Sequence, residues 1–175
     1  MAYSVKIGVE GVQELQNLFD EMANELGPKD SQRILNKAVR TSMIPVLNSA
    51  RQLAPVDTGA LRASLQIEVR KPNRKDKRSK YVSENDTVIG LVTTAPASKL
   101  AKTKFKNMRT ESKFMQIGIA SDARAVANEF GTAKMPAQPF MRPALESNAQ
   151  NVVNSLSVNI ATALRKYKSK HMKKG

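Results

Sequence analysis

The chain has 175 residues, 41% of them apolar and 25% charged, the proportions of an ordinary globular domain with a modest core. It contains no cysteine, which excludes disulfide and thiolate chemistry and suits a reducing compartment. Against 15 Asp and Glu stand 29 Lys and Arg, a formal charge of +14, so an anionic partner is expected: nucleic acid or an acidic protein surface. No apolar run approaches the ~18 residues of a membrane-crossing helix. The opening MAYSVKIGVEG lacks the apolar centre of a secretory signal.

In chain order, Ser4 to Val9 alternates, with Val5, Ile7 and Val9 on one face, and predicts a short half-buried strand. From Val12 the period lengthens. Val12, Leu15, Leu18, Phe19, Met22 and Leu26 form a helical stripe that Gly27-Pro28 stops. Asp30 or Ser31 can cap a second helix, expected over roughly residues 31 to 53 and kinked at Pro45. Ala54 to Ser64, APVDTGALRAS, then reads as a shaped turn in which Asp57 caps a short helical turn through Leu61.

Leu65, Ile67 and Val69 alternate with Gln66, Glu68 and Arg70, a clean strand pattern. Two further strands are expected, Thr87 to Thr93 and Phe114 to Ala120. Mobile basic loops are expected at about 70–86 and 95–112. A short helix, Ala123 to Phe130, leads into a stretch dense in proline and phenylalanine, with Phe130, Gly131, Pro136, Pro139, Phe140 and Pro143. Prolines fix φ and push the preceding residue towards extended geometry, so Met135, Gln138 and Arg142 are expected to be non-helical. Both phenylalanines are expected to anchor in apolar surface. From Leu145 a stripe of Ala149, Val152, Val153, Leu156, Ile160, Ala163, Leu164 and Tyr167 predicts a helix of about six turns. A disordered basic tail, 168–175, is expected after it, closing a single domain over 1–167.

The cations fall in three clusters: Arg70 to Lys80, Lys99 to Lys113, and Arg165 to Lys174. Candidate anion or DNA contacts within them are Arg70, Lys71, Arg74, Lys75, Lys77, Arg78, Lys80, Lys102, Lys104 and Lys106. Catalytic machinery is missing from the sequence. The sole histidine, His171, lies in the basic tail, no Cys or carboxylate group has metal-ligand spacing, and the glycines are too scattered to cradle phosphate. No cofactor is expected. Asp57-Thr58-Gly59 matches the aspartic-protease triplet, but one copy could act only in a homodimer, and a long helical pattern precedes it where that fold needs strands.

The motifs AP-V-DTG-x-L-x-x-S and EFGT-x-x-x-PAQPF-x-RPAL, in that order, resemble the tailed-bacteriophage neck proteins. These are the minor tail or tail-completion proteins of lambdoid phages, similar to gene product ten and to lambda tail protein Z. The resemblance does not extend to the basic middle, Arg70 to Lys113. It implies a virion structural protein at the head–tail junction, assembled in the bacterial cytoplasm. A homo-oligomeric ring is implied, hexamer or dodecamer, beside stopper, terminator and tail-tube proteins, with the packaged DNA end a candidate neighbour and no membrane. Interface candidates are Pro55, Asp57, Thr58, Gly59, Phe130, Gly131, Thr132, Pro136, Pro139, Phe140, Arg142 and Pro143. The expected architecture is α+β, a mainly antiparallel sheet of three to four strands against two long helices. Sequence-nonspecific nucleic-acid binding is the alternative reading, and a homodimeric aspartic protease through Asp57 the remote one.

Overall fold

The computed structural model describes residues 10–26, 28–55, 60–74, 76–78, 82, 86, 88–94 and 122–171. The strands expected at 4–9 and 114–120 and the basic loop at 95–112 lie outside these residues. The described residues are α+β, helices with a two-stranded antiparallel sheet. They fall in two compact units. One draws on Met1–Ile44, Val69–Leu91 and Asn148–Gly175, the other on Pro45–Glu68 and Val92–Ser147.

The first unit is built on three helices: α1 (Val12–Glu25), α2 (Pro28–Ser42) and the latter part of the final helix, α6 (Met141–His171). The α1 stripe does what its period predicts, since Leu15, Met22 and Leu26 are buried with Ala38 of α2 and Ile160 and Leu164 of α6. Leu18, Phe19, Ile34, Leu35, Val153, Leu156 and Tyr167 pack around that cluster. Pro28 begins α2, where its missing N–H would have had no helical acceptor anyway. Ser31 therefore sits inside α2 rather than capping it. Its hydroxyl donates to the carbonyls of Met22 (3.3 Å) and Leu26 (3.2 Å) at the end of α1, where the Met22 carbonyl also accepts the Leu26 amide at 3.0 Å.

Two long-range ties show that α1 runs parallel to α6. At one end Glu10 and Gln150 exchange hydrogen bonds of 2.9 and 3.1 Å. At the other, Lys168 Nζ lies 2.7 Å from Glu21 and 2.8 Å from Glu25. These pairs hold α6 in register beyond Tyr167, where the apolar stripe stops, and the helix continues to His171. Hydrogen bonds to Glu21 first, and then Glu25, raise the Lys168 pKa above 10.5. The lysine's contribution is therefore complete below pH 10.5 and is lost only as pH climbs through the raised value.

The single kinked helix expected over 31–53 is two helices. α2 stops at Ser42, Met43 forms a turn, and α3 (Ile44–Leu53) begins with Pro45 in its first turn. A helix unbroken through Pro45 would force its ring against the Thr41 carbonyl and leave that acceptor unpaired. Placing the break two residues earlier avoids both costs.

In the second unit Val46 and Ala50 of α3 are buried, and Arg51 Nη2 donates to the Leu65 carbonyl at 2.8 Å. That bond ties α3 to the point where α4 (Ala60–Ser64) becomes β1 (Leu65–Arg70). β1 pairs with β2 (Ile89–Thr94), so the alternating stretch at 65–70 and the strand expected at 87–93 both appear, the second shifted by a residue or two.

Gly90 of β2 lies against α2. A Cβ there would stand 2.6 Å from Val39 Cγ1, and a β-branched side chain in a helix has almost no other rotamer to adopt. Gly90→Ala should therefore cost about 1–3 kcal/mol by overpacking. Urea unfolding measures it, and recovery of the loss in Gly90→Ala/Val39→Ala is the expected second result.

Candidate functional site

α5 (Asp122–Phe130) ends at Gly131, whose amide donates to the Ala127 carbonyl at 2.8 Å. Gly131 has φ +76°, and a Cβ on it would meet Ala137 N at 2.9 Å and Met135 O at 3.0 Å, so this turn requires glycine. The chain then closes on itself. Thr132 and Met135 exchange backbone hydrogen bonds of 2.8 and 3.3 Å, and the Gln138 amide reaches back to the Asn128 carbonyl at 2.7 Å.

The Glu129 carboxylate fixes the far side of this loop. Oε2 accepts from the amides of Phe140 (2.8 Å) and Met141 (2.9 Å), and Oε1 accepts from the amide of Arg142 (3.0 Å). Glu129 is only 6% exposed, and the Arg142 Nε lies 3.7 Å away. The first amides of α6 lack acceptors of their own, and the helix dipole favours a negative charge there. A carboxylate on one helix thus caps the start of another.

This cap explains where the expected anchors go. Phe140 is fully buried, whereas Phe130 is 68% exposed, with the Arg142 guanidinium carbon 5.4 Å from its ring centroid. Only one of the two phenylalanines is an internal anchor, because Glu129 takes the inward position and its neighbour Phe130 must turn outward. Pro136, Pro139 and Thr132 are exposed, while Gly131 and Pro143 are half-buried. Met135 and Gln138 are non-helical as expected. Arg142 is helical, contrary to expectation, because α6 begins at Met141 and Pro143 falls in its first turn, where no donor is needed. The inward stripe starts at Ala144, fully buried, and Leu145 points out at 42% exposure. Sequence reasoning missed two residues here. Glu129 stood out only as a lone acid before Phe130-Gly131, and Val126, 53% exposed, precedes Phe130 by one turn on the same helical face.

Of the other interface candidates, Pro55 is half-buried, and Asp57, Thr58 and Gly59 lie outside the described residues. Helices α3 and α4 flank that triplet, rather than the strands an aspartic-protease turn needs.

Among the candidate anion contacts, Arg70 is engaged: it forks onto Asp76, with Nη2 to Oδ1 at 3.0 Å and a closer contact from Nη1 to Oδ2. Asp76 and Asn73 also cap each other reciprocally, Asn73 N to Oδ2 at 2.7 Å and Asp76 N to Asn73 Oδ1 at 3.0 Å, which starts a 3-10 turn at Asp76–Arg78. Lys71, Arg74 and Arg78 are exposed around this turn and Lys77 is half-buried. Lys75, Lys80, Lys102, Lys104 and Lys106 lie outside the described residues. The described basic candidates, Arg70 to Arg78, belong to the first unit and the loop at Glu129 to the second.

A family model described as "Bacteriophage HK97-gp10, putative tail-component" matches residues 17–101. Over that stretch the chain is similar to HK97-gp10-like phage tail components. The match spans α1 to β2 and the motif at Ala54–Ser64. It also covers the basic stretch from Arg70 to Lys80, which the motif resemblance did not reach. The likeness to lambda tail protein Z has no such match behind it. No curated protein and no solved structure matches the chain.

The geometry at Glu129 and at Asp76 makes two predictions. Glu129→Gln keeps the size but loses the charge, and should cost about 1–3 kcal/mol in urea unfolding as amide donors at the start of α6 lose their acceptor. An unchanged stability would show that the cap is dispensable. The Arg70 hydrogen bond, and then that from Asn73, lower the Asp76 pKa from 3.8 to about 2. The pairing is thus fully present above pH 3.8 and lost as pH falls through about 2. A carboxyl-resolved NMR titration should place the Asp76 midpoint near 2, and Arg70→Gln should return it towards 3.8.

Proposed function

We propose that this chain is a phage tail component and a structural subunit of the head–tail junction, a neck or tail-completion protein that assembles into a ring through protein–protein contacts. The observation that carries this reading is Phe130, 68% exposed beside Arg142 at the end of a helix whose geometry is fixed by the Glu129 cap. Aromatic and arginine side chains dominate binding energy at protein interfaces, above all when they are held rigidly before contact. Val126 widens the same exposed face. In a ring, two different patches of each subunit meet, so this face contacts a different surface of the next copy. A hexamer or dodecamer, the neighbouring stopper, terminator and tail-tube proteins, and a place in the virion belong to the same reading. So does a structural rather than enzymatic role.

Phe130→Ala tests it. Removing an exposed ring should leave the melting temperature within a few degrees of wild type but weaken self-association or joining to a tail-tube or terminator protein by at least tenfold, read by analytical ultracentrifugation. Unchanged association, in a protein that does associate, would remove this face from the interface. Phe140→Ala should behave in the opposite way, losing about 3–5 kcal/mol of stability because its ring lies wholly inside the fold.

A further inference from the structure

Outside the loop at Glu129, the first unit carries a groove of about 570 Å³ between α2 and α6. Arg33 and Lys37 stand one helical turn apart on α2, and Lys166 and Lys170 one turn apart on α6. Residues four apart on a helix share a face, with Cβ atoms ~5–6 Å from one another, so each wall presents a pair of cations. All four residues are exposed, and no hydrogen bond or ion pair engages their side chains among the described residues. Asp30 is the single acidic residue lining the groove. Arg33 and Lys37 belong to none of the basic clusters visible in the sequence. Folding brings them opposite the C-terminal cluster.

The floor decides what such a groove can take. Between the cations it is lined by Ala38, Ala163, Thr41, Thr162 and Asn159, and by Ile34 and Tyr167, both of which pack against the buried core. A peptide helix seated in a groove needs deep apolar pockets for its anchor side chains. Ile34 and Tyr167 are already engaged with the core and the other residues are small or polar, so affinity must come chiefly from the charged walls. Four cations unpaired among the described residues, against one carboxylate, suit a partner that repeats its negative charge at short intervals. We infer that the α2–α6 groove is a sequence-nonspecific binding site for the phosphate backbone of a nucleic acid. This site goes beyond the assembly reading and does not depend on it, since no residue of the groove lies in the loop at Glu129.

The test measures binding of a labelled short duplex, and of one of its strands alone, by the full chain over a range of salt. Log affinity should fall linearly with log salt. Lys37→Gln/Lys166→Gln should flatten that slope by up to ~1.8 for the duplex and ~1.4 for the strand, about 0.9 or 0.7 for each lost contact. Lys29→Gln/Lys134→Gln removes the same charge from exposed positions that do not line the groove, and should leave the slope nearly unchanged. Lys37→Arg/Lys166→Arg should bind as wild type does, which keeps the test valid if the Gln variant folds poorly. Equal flattening by the two Gln pairs would overturn the proposal in favour of diffuse attraction by net charge. Absence of binding to either nucleic acid, or binding of polyglutamate alone, would overturn it as well. Self-association recorded on the same samples reports separately on the assembly reading.

Discussion

The Glu129 carboxylate, set against three consecutive amides of another segment, is the constraint on which the second unit's ordered surface depends. Burying an ionised carboxylate costs several kcal/mol even after the protein relaxes around it. Hydrogen bonds to a charged group return about 1.5–3 kcal/mol each, and a helix start adds its dipole. Three such bonds offset the burial; one would not. The carboxylate is therefore stable here only while α6 begins at Met141. Successive side chains on a helix point ~100° apart, so burying Glu129 turns Phe130 to solvent, and fixing the Phe140 amide sets that ring inside.

Charge in the first unit is segregated rather than spread. Glu14, Asp20, Glu21 and Glu25 all lie on α1, which carries no Lys or Arg, within a chain of formal charge +14. Lys168 spans two of these acids and so joins α1 to α6. The cations of the groove, two on α2 and two on α6, have no such partner among the described residues. The C-terminal basic cluster thus performs two physical tasks that its sequence does not distinguish: Lys168 closes the helix packing, while Lys166 and Lys170 charge the groove wall.

Periodicity made much of the helical framework legible. Leu15, Met22 and Leu26 share one stripe, Ile160 and Leu164 another, and burying them together needs no information beyond their spacing. The alternation at 65–70 and the apolar run expected as a strand at 87–93 were equally plain. Breaks and caps were harder to read, because they depend on which end of an element a residue occupies. A proline is costly in a helix interior and costs little in a first turn, so Pro28, Pro45 and Pro143 read as stops or kinks in one dimension and prove to be starts in three. Ser31 caps the preceding helix instead of its own. Glu129 was illegible as a cap because its amides lie eleven to thirteen residues away. The groove was illegible for the same kind of reason, with its two cation pairs separated by more than 120 positions in the chain.

In the proposed ring, the energetics of the Phe130 face favour many weak contacts over one strong one. Fully burying a phenylalanine side chain supplies about 1.5–3 kcal/mol, and a guanidinium over its ring adds about 0.5–2 kcal/mol. Against that stand several kcal/mol of lost translation and rotation, which two subunits meeting alone must overcome. The Glu129 cap and the Gly131 turn remove one further cost, since the loop is already ordered and no backbone need be fixed on contact. The remaining deficit is met by closure: once a ring lacks one member, the last subunit gains two interfaces for one loss of freedom. A rigid, modestly apolar face of this kind keeps isolated subunits soluble and becomes effective only where many copies gather.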